Sequence, residues 1–443
     1  VYNSAFMNML KNQENQKYRQ SIKNTLEFEP EILKRYVNFM NNPDEDTAIA
    51  QFGDGDRYFG IATILATLPG LPMIGHGQIE GYREKYGMEY SKAYYDESPN
   101  ERLISEHYRR IFPLFRKRYL FSGVEHFNLY DCMNNGNVQE AVFAYVNGSG
   151  AERNLVIVNN QYERSSGVIN KSANKIVRKG DEKVIESISL AENLSLHFSA
   201  KNYVIFDCFT DGLSYLYPSM NIFDYGFNIS LNGYESKVYW NIREVEDTDG
   251  IYEKLYSIYK DKGIKNINKA IMLLKLAPIY KILEPLRRPD YLKLIDEIIK
   301  GKSTRETERS ALLTLAEVYT TLYESYPSMD ESAKGLLDVP PYDVKPAPIV
   351  NIIKATAKLF SAKGSKAMRS WSSVDESVPL LCAIALTILP FSKGLDIKGT
   401  MEISDRLLIS DFFENAMKSA GYYKEDEMRA LAHEGALLLS AYS

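Results

Sequence analysis

Residues 35–90 read RYVNFMNNPDEDTAIAQFGDGDRYFGIATILATLPGLPMIGHGQIEGYREKYGMEY, and the order of apolar and polar residues in this stretch decides the fold. An apolar strand, Tyr36–Met40, runs into a carboxylate cluster at Asp44, Glu45 and Asp46. A helical stretch near Tyr58–Leu68 follows, and a Pro-flanked apolar strand around Leu71–Ile74 then closes on the polar loop GHGQIEG at 75–81. Strand, helix and strand in alternation is the pattern of a parallel sheet. On a parallel barrel the chemistry sits where the carboxyl ends of strands hand over to polar loops, and two successive strands do so here.

Working outward, the opening VYNS has the composition of a strand end, and AFMNMLKNQENQKY places Phe6, Met9, Leu10 and Tyr18 at helical spacing. On the other side, Asn100–Leu120 is a charged amphipathic helix with Leu103, Ile104, Ile111, Leu114 and Phe115 near one face, interrupted by Pro113. It reads as the last helix of a barrel. From Phe121 the pattern changes: FNLYDC, AVFAYVN, RNLVIVNN, NYVIFDC and KVYWNIREV are short runs of β-branched and aromatic residues separated by turn-rich segments. The Asn-Gly-Ser-Gly step at 147–150 is a hairpin signal between two of them. After Asp247 helical spacing takes over, at Ile271, Leu274 and Leu276, at Leu294, Ile295 and Ile298, and at Leu407, Leu408, Phe412, Phe413 and Met417. Four prolines in VPPYDVKPAPIV, 339–350, forbid a continuous helix there.

The 443 residues exceed one ordinary domain, and the expected division is 1–121, 122–246 and 247–443. The expected fold class is therefore multidomain: a partial (β/α)8 TIM barrel, an antiparallel β-sandwich and an all-α carboxyl-terminal region. With 45% hydrophobic and 25% charged residues the composition is that of a soluble globular chain. No run of about 18 uninterrupted apolar residues is present, which argues against a membrane partner. A net charge of −5 gives no basic field for nucleic acid and favours a neutral substrate. Cys132, Cys208 and Cys382 are odd in number and far apart, so neither a disulfide framework nor a zinc site is expected, and a cytoplasmic location fits.

The stretch quoted first resembles the end of the catalytic barrel of the α-amylase family, the retaining glycoside hydrolases and transglycosylases of α-glucans. That family ends its seventh strand with an aromatic residue, a short polar step and an Asn-His-Asp triplet, matched here by Phe39, Asn41, Asn42, Pro43 and Asp44. Its eighth strand carries Pro-Gly-x-Pro-x-x-x-x-Gly-Gln, matched by Pro69, Gly70, Pro72, Gly77 and Gln78. Retaining cleavage needs a nucleophilic carboxylate, an acid for the leaving oxygen and stabilisation of an oxocarbenium-like transition state. The resemblance implies that Asp44 is the third carboxylate of this set, gripping sugar hydroxyls and stabilising the distorted ring. Gln78 matches the eighth-strand pattern and is expected to contact substrate, an α-glucan or maltooligosaccharide; Asn42, with both amide donor and acceptor, and His76, in place of the family's usual aromatic residue, are further candidate contacts, and no cofactor or metal is expected.

Each of these residues also has a bland reading. Asp44, Glu45 and Asp46 are good first-turn residues for a helix, Asn42 can simply fix the turn before Pro43, and His76 can be a structural hydrogen-bonding group. The loop Tyr82–Glu97 offers tyrosine faces that can cover the C–H face of a glucose ring. Pro43 departs from the family pattern, because a proline side chain can neither donate nor accept where the family has its sugar-binding histidine.

The family places its nucleophilic Asp after the fourth strand and its acid/base Glu after the fifth. Only 43 residues precede Asp44, and no Arg-x-Asp step within an apolar segment occurs among them. The expectation is a carboxyl-terminal portion of such an enzyme, inactive by itself. The alternative is a non-catalytic glucan-binding or scaffold protein derived from the family, and a third reading makes 247–443 a helical interaction module.

Overall fold

The computed structural model describes residues 1–87, 90–336, 341, 378–392, 395–420 and 422–440. The chain divides into two compact units, Val1–Ile267 and Asn268–Ser443.

The first unit begins with a small parallel layer. Tyr2 forms a parallel bridge to Val37. Helices α1 (Ser4–Lys11) and α2 (Asn15–Phe28) then lead to β1 (Val37–Phe39). After α3 (Ala48–Phe52) and α4 (Asp56–Thr67) comes β2 (Leu71–Met73), parallel to β1 with Val37 opposite Leu71 and Phe39 opposite Met73. Helix α4 is buried along almost its whole length, which its apolar run IATILA requires. Its exit is held by Arg118, whose guanidinium donates to the carbonyls of Ala66, Leu68 and Gly70 and so caps the helix end. Gly70 takes φ +100°, and a Cβ there would press on the carbonyl oxygens of Tyr36 and Leu33, so only glycine lets β2 approach β1. The amphipathic stretch 100–120 forms helices α5 (Glu101–Arg110) and α6 (Phe112–Arg116), with the expected interruption falling at Ile111, just before Pro113. Among the described residues β2 pairs with β1 alone, and Leu71 is exposed at that open edge.

The β region continues the same unit. Its strands are β3 (Asn128–Asn134), β4 (Asn137–Val138), β5 (Val142–Ser149), β6 (Glu152–Asn159), β7 (Ser165–Ser172), β8 (Lys175–Lys179), β9 (Glu182–Glu186), β10 (Asn202–Cys208), β11 (Ser214–Pro218), β12 (Phe227–Leu231) and β13 (Ser236–Glu246). Two short helices, α7 (Leu190–Asn193) and α8 (Ser219–Tyr225), sit in the connections. Strands β8 and β9 form a separate hairpin. The others lie on one hydrogen-bonded path, β11-β10-β13-β6-β5-β3-β7-β12, with β4 added on β3. This differs from the two facing sheets of the expected sandwich. The physical reason is curvature: the register slips between Ile205 and Asp207 on β10, and Asn241 opposite takes φ +48°, a bulge that bends the sheet on itself. Its two ends come together where the Phe227 ring of β12 meets Phe206 and Tyr217, both at 5.1 Å.

This curl explains why AVFAYV and LVIV are apolar on both faces. Val142, Ala144, Val146, Leu155 and Ile157 point into the curled sheet, while Phe143, Tyr145, Val156 and Val158 join the core shared with α1, α2 and α4. A buried Arg19 on α2 ties the layers, donating to the carbonyls of Gln139 and Val142 and pairing with Asp131.

Helix α9 (Ile251–Tyr259) follows β13, and the described elements of the second unit are helices, including α10 (Ile267–Leu283), α11 (Pro289–Ile299), α12 (Arg305–Ser325) and later helices at Val378–Ile388, Ile397–Arg406 and Glu425–Ser440. Leu276, Ile279, Ile295, Leu315, Leu322, Ile384 and Phe412 are in its core, in keeping with the helical spacing read there. The Pro-rich stretch 339–350 lies outside the described residues except for Pro341. No helix among the described residues is long and apolar enough to cross a membrane.

Candidate active-site rim

Because β1 and β2 are parallel and in register, the loops that follow them emerge side by side at one end of the layer. After β1, the Asn42 side chain accepts from the backbone N–H of Asp44 at 2.9 Å and of Glu45 at 3.0 Å. This Asx turn projects the carboxylate of Asp44 into solvent beside an exposed Pro43. Lys85 Nζ donates to the Asp44 carbonyl at 2.6 Å, so the loop after β2 also holds the loop after β1. Gln51 braces the turn from below, giving its amide hydrogens to the carbonyls of Met40 (3.0 Å) and Asp46 (2.8 Å).

After β2, Gln78 is 2% exposed. Its Oε1 accepts from Gly75 N–H at 3.1 Å, and its Nε2 lies 3.5 Å from Met40 Sδ. The carboxamide is thus committed to the loop itself. His76 is exposed and stands on a tyrosine cluster, with ring centroids 4.0 Å from Tyr86 and 6.2 Å from Tyr82, and Tyr86 in turn 4.3 Å from Tyr90. Two carboxylates tie this loop: Glu84 accepts from the N–H of Tyr94 and Tyr95, and Glu97 from those of Arg83 and Glu84. A loop of polar sequence is thereby given a fixed shape, and its aromatic faces are presented together. Burial, reinforced by the Tyr90 hydroxyl, raises the Tyr86 phenol above the ordinary tyrosine range.

Of the residues expected at the site, Asp44, Asn42, His76 and Gln78 all lie at this end, with Asp44 and His76 exposed, Asn42 in the turn and Gln78 buried. Tyr58 and His107 were not singled out from sequence, and Asn41 entered only as part of the strand-end motif. Asn41 is 5% exposed and donates to the His76 carbonyl at 3.4 Å, while its Oδ1 has no partner among the described residues. Tyr58 on α4 donates to the Gln78 carbonyl at 2.7 Å and contacts His107 Nε2 on α5 at 2.8 Å. Nothing local in the sequence marks these pairs, since each joins elements 20 or more residues apart. Among the described residues no cluster of three or more His, Cys, Asp or Glu could hold a metal ion.

A Cβ at Gly75 would overlap the carboxamide of Asn41, which is why glycine stands where the two loops meet. Gly75→Ala is expected to destabilise the chain by about 1–3 kcal/mol through this overpacking. In urea denaturation the double variant Asn41→Ala/Gly75→Ala should recover most of that loss, because the overlapping group is gone. Strictly additive losses would show that the contact is absent.

No protein-family model matches the chain, and neither does any curated protein. Among solved structures the neighbours are α-amylase-family enzymes. The debranching enzyme of Nostoc punctiforme matches at 14% identity over 51% of this chain and 39% of its own, with a TM-score of 0.33. The α-amylase of Geobacillus thermoleovorans, complexed with acarbose, matches at 14% identity over 47% and 39%, with a TM-score of 0.31. The α-amylase of H. orenii matches at 14% identity over 54% and 48%, with a TM-score of 0.33. The matched region thus spans less than half the length of each of these enzymes.

Proposed function

We propose that this chain is the carboxyl-terminal portion of a retaining α-amylase-like α-glucan hydrolase or transglycosylase. In this reading 1–121 supplies the last strands of the catalytic (β/α)8 barrel, 122–246 the β domain that follows it, and 247–443 a helical addition. The observation that carries the reading is the in-register parallel pair β1 and β2, which brings the Asp44 loop and the His76–Tyr86 loop to the same end of the layer. Asp44 stabilises the oxocarbenium-like transition state, and His76 with its tyrosine neighbours forms the platform for a sugar ring. Asn42 and Gln78 shape the two loops through the bonds described above, so their contribution to substrate binding is mainly indirect. The nucleophilic Asp and the acid/base Glu come from outside these 443 residues, and the chain alone does not turn over glucan.

The test is reducing-sugar release from maltooligosaccharides by a protein that carries the whole barrel, set beside the 443-residue chain. Release by the former with retention of the α-anomer, and none by the latter, is the expected result. One feature favours a second reading, a glucan-binding protein without catalysis: Pro43 supplies no side-chain donor at the position before Asp44. Glucan affinity without any release by the longer protein would establish that reading and overturn the first.

A further inference from the structure

Residues 125–128, which lead into β3, meet the start of β6, the hairpin β8–β9 and α7 around a cleft of about 200 Å³. Lys175 of β8, Arg153 of β6 and His126 line it, and Glu125, Glu186 and Glu192 are also in its wall. It shares no residue with the rim at 41–97.

Two of its cations meet no carboxylate. Lys175 is 6% exposed, and its ammonium donates to the carbonyls of Val124 (2.7 Å), Glu125 (2.7 Å) and Phe127 (3.1 Å). Arg153 donates from Nε to the Asn193 carbonyl at 3.1 Å, and from Nη1 to the carbonyls of Gly150 (2.7 Å) and Glu152 (3.0 Å). These bonds fix the guanidinium and leave Nη2 for a further acceptor. Among the described residues, every acceptor of the two cations is thus a neutral carbonyl. A lysine so far removed from water is ordinarily paired with a carboxylate, because a buried charge without a counter-charge is costly. His126, its side chain 21% exposed, adds a third group of the same kind. Burial lowers Lys175 to about 8, and burial together with the charges on Arg153 and Lys175 holds His126 below its ordinary value.

The glutamates of the wall are committed elsewhere. Glu186 is ion-paired with Lys179, and Glu192 accepts from the Ser189 N–H (2.9 Å) and hydroxyl (2.8 Å) in the capping box of α7. The Glu125 side chain is 88% exposed and comes only to 3.9 Å from His126 Nε2.

We propose that this cleft binds one small oxyanion, inorganic phosphate or the phosphoryl end of a monoester. Arg153 Nη2 and a protonated His126 donate to its oxygens, and Lys175 contributes charge while keeping its three carbonyls. Charge excludes a cation, and a neutral ligand leaves Lys175 and Arg153 without a counter-charge. A carboxylate brings one charge and two acceptor oxygens to three cationic groups, whereas a phosphoryl group brings about two charges and three oxygens. The volume equals roughly seven waters at about 30 Å³ each, enough for a phosphoryl group and its nearest waters.

The test is titration of the full chain with sodium phosphate against sodium chloride at matched ionic strength, read by thermal melting and by the ring resonances of His126. Phosphate should bind in the millimolar range, raise the melting temperature in a saturable way that chloride does not reproduce, and move the His126 titration midpoint upward. Phenyl phosphate separates the two sources: affinity equal to or above that of phosphate marks a monoester, and weaker affinity marks the free ion. Acetate should bind at least about 10-fold more weakly than phosphate. Arg153→Gln should weaken phosphate binding about 10-fold, and His126→Gln about 3- to 10-fold. Melting in chloride shows which variants are folded, and His126→Gln decides if Arg153→Gln is not. Glu125→Gln should leave phosphate binding intact or tighten it, since it removes the one mobile carboxylate that competes for the cleft. No saturable rise beyond that in chloride, an unmoved His126 midpoint, acetate as tight as phosphate, or wild-type phosphate affinity in the folded variants of Arg153 and His126 would overturn the proposal.

Discussion

Asp44→Asn, made in the protein that carries the whole barrel, is expected to lower kcat on maltooligosaccharides by about 10²–10⁴-fold while leaving the melting temperature unchanged. The two halves of this expectation rest on different atoms. The shape of the turn comes from the Asn42 side chain on the backbone N–H of Asp44 and Glu45, and from Lys85 on the Asp44 carbonyl, none of which involves the Asp44 carboxylate. That carboxylate is exposed, and an exposed isosteric change of this kind stays within about 0.5 kcal/mol in stability. Activity is another matter, because a neutral amide cannot stabilise positive charge developing on the sugar ring. A variant with the wild-type rate would remove Asp44 from the chemistry and leave it as a turn residue.

The second large effect is on stability, and it depends on pH. His107 is fully buried on α5, and burial pulls its pKa down from 6.5 to about 4. The hydrogen bonds give the reason. Tyr58 donates its proton to the Gln78 carbonyl, so its oxygen accepts from Nε2–H of a neutral imidazole, and Nδ1 is left buried with no partner among the described residues. A second proton would have to sit on Nδ1 with nothing to receive it. Above pH 6.5 the imidazole is neutral in both folded and unfolded chains and carries no penalty. Between about pH 6.5 and 4 the unfolded chain takes up a proton that the folded chain refuses, and stability falls by about 1.4 kcal/mol per pH unit, reaching about 3 kcal/mol. His107→Gln keeps an N–H for Tyr58 and does not titrate. The difference between wild type and this variant in urea denaturation should therefore shrink or reverse in favour of the variant as pH falls through that window. A pH-independent difference would mean that His107 is protonated in the folded chain. Because Tyr58 also holds Gln78, acid should loosen the rim before it unfolds the rest of the layer.

The elements around the rim were legible because strong local signals agreed. Tyr36–Met40 and Leu71–Ile74 contain β1 and β2, Tyr58–Leu68 overlaps α4, and the β runs from FNLYDC to KVYWNIREV fall in strands. Strands β7, β8 and β9 were not read, since SSGVINKS, KIVRK and EKVIE are too polar to show an apolar face. Part of what holds them is invisible in composition: Lys175 is buried with its ammonium on the carbonyls of Val124, Glu125 and Phe127. Pairing was also out of reach. Alternating apolar residues tell which side of a strand is buried, but the single curled path depends on the bulge at Asn241 and on Phe227 meeting Phe206 across the sheet. At the rim, the spacing of Asp44, His76 and Gln78 pointed to two loops, and the structure brings those loops to one end of the layer. The spacing did not distinguish an exposed His76 from a Gln78 turned inward, because that depends on Gly75 and Met40.

Amide hydrogen exchange of this chain with and without millimolar maltoheptaose tests whether the loops after β1 and β2 form one glucan-binding surface. With one shared surface, exchange slows in both Asn41–Asp46 and Gly75–Tyr86, the two changes rising together along one binding curve. Slowing in one loop without the other, or in neither while the sugar is bound elsewhere on the chain, would contradict it.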